Sequence, residues 1–201
     1  MKTESIQSLL NAMYGPQEEY TSEQLEVIDT LNINRFDVSG EIIPIVPEEL
    51  LKFPQLKSLS LQQCVIADNF IKVLNQLKNL ESLSLYQCEF MEDASSIFQL
   101  PLLKNILIES TEIPASYLNN SMINSLVLSN IEVNEDIHFY VDYLDIRRAI
   151  IHNWNFLNNK IGLLVVSNIQ YHESSELQNY NGPMKVMDDY SPTRIVKEVN
   201  C

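Results

Sequence analysis

The chain has 201 residues, 45% of them hydrophobic, and 27 acidic side chains against 13 basic ones, for a formal net charge of −14. That is enough apolar material for a packed core, and the sign of the charge argues against a nucleic-acid or anionic-membrane binder. No stretch reaches the roughly 18 consecutive apolar residues of a membrane span. The start MKTESIQSLLNAMYG has no basic stretch followed by an apolar run, so no secretory signal is read and the expected location is cytoplasmic.

Residues 1–27 read as an N-terminal helical cap. Ile6, Leu9, Leu10 and Met13 share one face of a short helix that Gly15-Pro16 would end. The acidic surplus is concentrated here, since residues 1–49 hold ten acidic and two basic side chains.

From residue 28 the chain repeats. LKSLSLQQCVI begins at Leu56 and returns 24 residues later as LESLSLYQCEF at Leu80. Extending that frame gives seven candidate repeats, starting at Ile28, Leu56, Leu80, Leu103, Ile123, Val141 and Ile161. Their Leu-x-Leu cores are Leu31/Ile33, Leu59/Leu61, Leu83/Leu85, Ile106/Ile108, Leu126/Leu128, Leu144/Ile146 and Leu164/Val166. Alternation of this kind reads as a strand with one face buried. A frame that returns every 18 to 28 residues reads as stacked units, none of which can bury its apolar positions alone.

The pattern Leu-x-x-Leu-x-Leu-x-x-Cys resembles the leucine-rich repeat family over residues 28–171, most closely over 56–113. The resemblance implies an α/β fold: a right-handed solenoid of about seven turns, with a concave parallel sheet and helices or loops on the convex side. Among the return segments, DNFIKVLNQLKN places Phe70, Val73, Leu74 and Leu77 at helical spacing, with Asp68 or Asn69 as a candidate cap. EDASSIFQL reads as a shorter helix stopped near Pro101. PASYLNNSM, NEDIHFY and HNWNFLNNK are long enough only for a 3₁₀ turn or extended chain. Thinner returns towards the C-terminus imply a curved first half and a flatter second half. Residues 172–201 break the repeat. Gly182-Pro183 marks a turn, and MKVM and RIVKEV are each strand-like, so this tail reads as a cap or as a partly ordered arm.

Cys64 and Cys88 occupy the same repeat position, where the resemblance implies an Asn or Cys with its side chain turned inward; a small thiol would pack there and offer a weak hydrogen bond. Cys201 reads as a free terminal thiol. His152 and His172 fall at matching positions, but two imidazoles are too few for a tight metal site. None of the phosphate-cradling, nucleophile-elbow or zinc-protease motifs occurs. Asp136, Asp142 and Asp145 read as members of a solvated face. The chain is therefore expected to be non-catalytic, with no cofactor and no metal.

Function then has to come from the outward strand positions. The residue between the two core apolars runs Asn32, Ser60, Ser84, Leu107, Val127, Asp145, Val165. The flanking columns run Thr30, Ser58, Ser82, Asn105, Ser125, Tyr143, Leu163 and Asn34, Gln62, Tyr86, Glu109, Ser129, Arg147, Ser167. Apolar side chains contiguous on an open sheet face point to a partner. The candidate partner-binding set is Tyr86, Leu107, Val127, Tyr143, Asp145, Arg147, Leu163 and Val165. Two readings of this patch stay open: a partner site, or a surface that the C-terminal tail covers.

The expected function is a protein–protein interaction module that binds one protein partner, favoured by charge to be basic. It would serve as an intracellular adaptor or as an inhibitor or immunity-type protein. The chain would be a monomer or weakly self-associating, with no nucleic-acid or membrane partner. A structural or self-assembling repeat protein is the alternative, as is a secreted protein acting on a host.

Overall fold

The Leu-x-Leu cores form strands in all seven frames. The computed structural model describes residues 10, 20–34, 46–119, 122–133, 140–158, 160–171, 179–188 and 191–199. It divides the chain into two compact units, Met1–Leu102 and Leu103–Cys201. Both are built on parallel strands, and among the described residues the α-helices Ser22–Glu26 and Asp68–Leu74 belong to the first, which makes the chain α/β.

In the first unit β1 (Thr30–Asn34), β2 (Ser58–Gln62) and β4 (Ser82–Tyr86) pair in parallel, while β3 (Val65–Ile66) and β5 (Glu89–Phe90) form a second, two-stranded pair. The register follows the repeat frame: Leu31 stands opposite Leu59, and Leu59 opposite Leu83. These leucines are buried together with Ile33, Leu61 and Leu85, the second core position of each strand. Against them the chain returns through a 3₁₀ segment, Pro47–Lys52, an α-helix, Asp68–Leu74, and a second 3₁₀ segment, Ser95–Gln99. The helix buries Phe70, Ile71, Val73 and Leu74, and Leu77 beyond it is also buried. Full burial of each such side chain stabilises by about 1.5–3 kcal/mol.

The cap of that helix differs from the expectation. Its N-cap is Ala67, without a side-chain hydrogen bond. Asp68 is already helical and pairs with Lys72 one turn on at 2.5 Å, where a carboxylate in the first turn also faces the positive end of the helix dipole. Asn69 Oδ1 accepts from the Phe70 amide at 2.9 Å. Ser95–Gln99 ends at Leu100, immediately before Pro101, as proline disfavours helical geometry in the residue ahead of it. Within the expected N-terminal cap, a short helix Ser22–Glu26 starts from a capping box in which Thr21 and Gln24 exchange hydrogen bonds. Leu10 is buried; Ile6, Leu9, Met13 and Gly15-Pro16 lie outside the described residues, as do Asp136, His172 and Cys201.

In the second unit β6 (Asn105–Glu109), β7 (Met122–Ser129), β9 (Tyr140–Arg147), β11 (Lys160–Ser167) and β13 (Met184–Asp188) are parallel. Ile106, Leu126, Leu144 and Leu164 stand opposite one another in turn, again in the repeat frame. A second sheet joins β8 (Glu132–Val133), β10 (Ile150–Ile151) and β12 (Gln170–Tyr171). The described returns are 3₁₀ turns at Ala115–Leu118 and Asn155–Asn158, the short geometry expected for those segments. Trp154 and Phe156 are fully buried, with ring centroids 5.6 Å apart. The tail continues this sheet: Met184 stands opposite Leu164, and β14 (Ser191–Val199) turns back to pair antiparallel with β13.

Two backbone devices recur in the frame. The three-residue gap in Leu-x-x-Leu is one longer than strand alternation allows, so the strand start bulges. Lys57 and Ser58 both donate to the Asp29 carbonyl, Glu81 and Ser82 to Lys57, and Asn124 and Ser125 to Lys104. At the ends of β2, β4, β6, β7, β9 and β11 one non-glycine residue takes the left-handed conformation: Gln63, Gln87, Ser110, Asn130, Arg148 and Asn168, with φ from 48° to 56°. This bends the chain out of the main sheet, and the bent amides find acceptors. Gln63 donates to Tyr86 at 2.8 Å, Ser110 to Ser129 at 3.0 Å, Asn130 to Arg147 at 2.9 Å and Arg148 to Ser167 at 3.0 Å.

The residue after each bend points inward, as expected for the cysteines. Cys64 and Cys88 are buried free thiols, and their Sγ atoms donate to the Gln62 and Leu61 carbonyls at 3.3 Å. A hydrogen bond with Cys64 holds the Cys88 thiol below its ordinary value. Thr111, at the matching position, is also buried, and its hydroxyl donates to the Glu109 carbonyl at 3.1 Å. Thiol and hydroxyl thus do the same job of tying the bend to the strand before it.

Candidate functional site

The outward face of the second unit carries most of the candidate residues. Alternation after the bulge turns Leu126, Leu144 and Leu164 inward and leaves the residues between them on the opposite face. Strand register then sets three rows. Leu107, Val127, Asp145 and Val165 stand side by side; Ser125, Tyr143 and Leu163 form the row before them, and Ser129, Arg147 and Ser167 the row after. Leu107, Val127, Tyr143 and Leu163 are half-buried and Arg147 is exposed. Tyr86, the eighth candidate, belongs to the first unit, where it ends β4 opposite Gln62 and is half-buried.

Two positions differ from the sequence reading. Val165 is buried, and Asp145, expected on a solvated face, is only 1% exposed. Asp142 alone of the three aspartates is described as exposed. The cause of the Asp145 burial is local. Tyr143 and Arg147 lie two residues to either side, on the same face of β9, and both reach back over the carboxylate. The Tyr143 hydroxyl donates to Asp145 Oδ2 at 2.9 Å, and Arg147 Nη2 pairs with the same oxygen. Burial, then the hydrogen bond to Asp145, pushes the Tyr143 phenol above its ordinary value. The carboxylate raises Arg147 above the usual guanidinium range. The three side chains form one charge-assisted group that crosses the three rows at β9, with only Asp145 in the row of Leu107, Val127 and Val165.

Beside it lies a second polar group that sequence reasoning missed. Arg148, at the left-handed bend, donates through Nη2 to Glu109 Oε1 at 3.1 Å and Ser129 Oγ at 3.0 Å. It therefore ties together three successive repeats. Asn130 Nδ2, at the preceding bend, donates to Ser110 Oγ at 2.7 Å. The available signal was their shared place in the frame, two residues after the last core apolar.

Met122 and Tyr140 were also missed. They stand opposite each other at the starts of β7 and β9, 81% and 60% exposed, just ahead of the Leu-x-x-Leu frame. His152 lies 2.8 Å from Glu132 Oε1, one repeat earlier. Among the described residues no three His, Cys, Asp or Glu side chains gather as a metal-binding group, and no helix is long and apolar enough to cross a membrane. The chain matches no protein-family model and no curated protein.

Proposed function

We propose that the chain is a leucine-rich-repeat-like solenoid acting as a non-catalytic protein-binding module, and that its partner is a basic protein docked on the outward face of β6 to β11. The observation that carries the reading is the pair Leu107 and Val127, half-buried aliphatics side by side on the face away from the core. Inward positions account for packing, so outward aliphatics have no structural duty of their own. The described part of the tail supports it as well, since β13 and β14 extend the sheet at its edge. The net charge of −14 favours a basic partner and speeds its approach.

An adaptor or an inhibitor of the intracellular kind fits this arrangement. The test is affinity capture from the native lysate with wild type and Val127→Asp, at low and moderate salt. A charge placed in the half-buried centre of the row should weaken binding by about 1–3 kcal/mol while leaving the circular-dichroism spectrum unchanged. A captured protein that is equally retained by Val127→Asp would refute this face as the docking site.

A further inference from the structure

The carboxylate of Asp145 is out of keeping with its row. Its register neighbours are Val127 and Val165, with Leu107 beyond Val127 and the exposed Lys185 beyond Val165. An aliphatic residue there would continue the row without the desolvation cost of a buried charge. The side chain is 2% exposed, and both of its donors, Tyr143 and Arg147, go to Oδ2. Oδ1 is buried and has no hydrogen-bond partner among the described residues. An ionised carboxylate accepts on both oxygens, so half of its capacity stands unused where an unmade bond is most costly.

We infer that Asp145 is the anchor for a cationic side chain, arginine or lysine, of the basic protein partner. This rests on the docking reading above and specifies its chemistry. The alkyl stem of such a side chain packs along the half-buried Val127 while its charged head takes Oδ1, as long basic side chains do on apolar surfaces. Tyr143 stays on Oδ2 and holds the plane of the carboxylate. Arg147, whose side chain is 52% exposed, is the member that shifts to admit the newcomer. Asp145 itself is fixed by strand pairing on both sides, opposite Val127 on β7 and Val165 on β11. The geometry thus presents a preorganised acceptor beneath a movable guanidinium, which lowers the ordering cost of binding.

The test uses the full chain with isotope-labelled Val methyl groups and arginine side chains, followed by NMR. The probes are N-acetyl-arginine amide, N-acetyl-lysine amide and the uncharged N-acetyl-norleucine amide. Saturable shifts of the Val127 and Val165 methyls and of Arg147 Nε are expected with both cations and not with norleucine amide. Asp145→Asn should weaken that response at least tenfold. No saturable shift with either cation overturns the inference, as does an undiminished response in Asp145→Asn. If that variant does not fold, the contrast between the cations and norleucine amide on the wild-type protein decides the matter. The titration needs no protein partner, so its failure is separable from that of the docking reading, which the Val127→Asp capture experiment addresses.

Discussion

Gly162 on β11 lies close against the backbone of β9, and Gly162→Ala puts a defined strain there. A methyl group built on Gly162 would lie 2.5 Å from the Asp142 carbonyl oxygen and 3.2 Å from the carbonyl carbon and Cα of the same residue. All three atoms are backbone, so no side chain can swing away. The strands must part locally at the bulge, just ahead of Leu163 and Val165. Overpacking of this kind costs about 1–3 kcal/mol. Replacing glycine also reduces the freedom of the unfolded chain, which offsets about 0.4–1 kcal/mol. The net loss is about 1–2 kcal/mol, or about 2–8 °C in Tm for a chain of this length. Trp154, the only tryptophan, is buried beside Phe156 in the same unit, so its fluorescence reports the urea transition directly. A midpoint equal to or above that of wild type would show that the close approach is not a constraint.

Gln87→Gly should act in the opposite direction. Gln87 is exposed with φ 51°, and removing its Cβ relieves a left-handed strain of about 1–2 kcal/mol, partly offset by the extra freedom of glycine when unfolded. A gain of about 0.5–1 kcal/mol is expected by thermal circular dichroism, and a loss would contradict the reading of the bend as strained. Tyr143 should titrate above pH 10, the ordinary tyrosine value, because burial and the Asp145 bond both favour its neutral form. A folded-state pKa above the unfolded one makes its contribution to stability complete below about pH 10 and lost as the pH rises through the raised value. NMR of the Tyr143 ring carbon checks this, and Tyr143→Phe should remove that part of the alkaline destabilisation.

The strands, their register and their buried positions were legible in the chain because each depends on a local spacing. Leu-x-Leu sets which side chains share a face, and the three-residue gap before it requires a bulge. Matching frames then align Leu31 with Leu59 and Leu83, and Ile106 with Leu126, Leu144 and Leu164. The inward cysteines followed from the resemblance to the leucine-rich repeat pattern. The left-handed bends were not legible. Only Asn130 and Asn168 belong to a type that favours that conformation; at Gln63, Gln87, Ser110 and Arg148 it is imposed by the geometry of the strand end, and where the amide finds an acceptor, by the next repeat.

The same division runs through the candidate site. Sequence alone placed Leu107, Val127, Tyr143, Leu163 and Arg147 on the outward face, because strand alternation decides direction. It could not decide exposure there, which depends on side chains brought alongside from other strands and folded over their neighbours. Asp145 lost its solvent to Tyr143 and Arg147, which fold back over it from its own strand, between valines that stand 18 and 20 residues away in the chain. Arg148 found Glu109 39 residues back. Direction is a property of local backbone period, whereas burial and charge pairing are properties of what the folded sheet sets side by side.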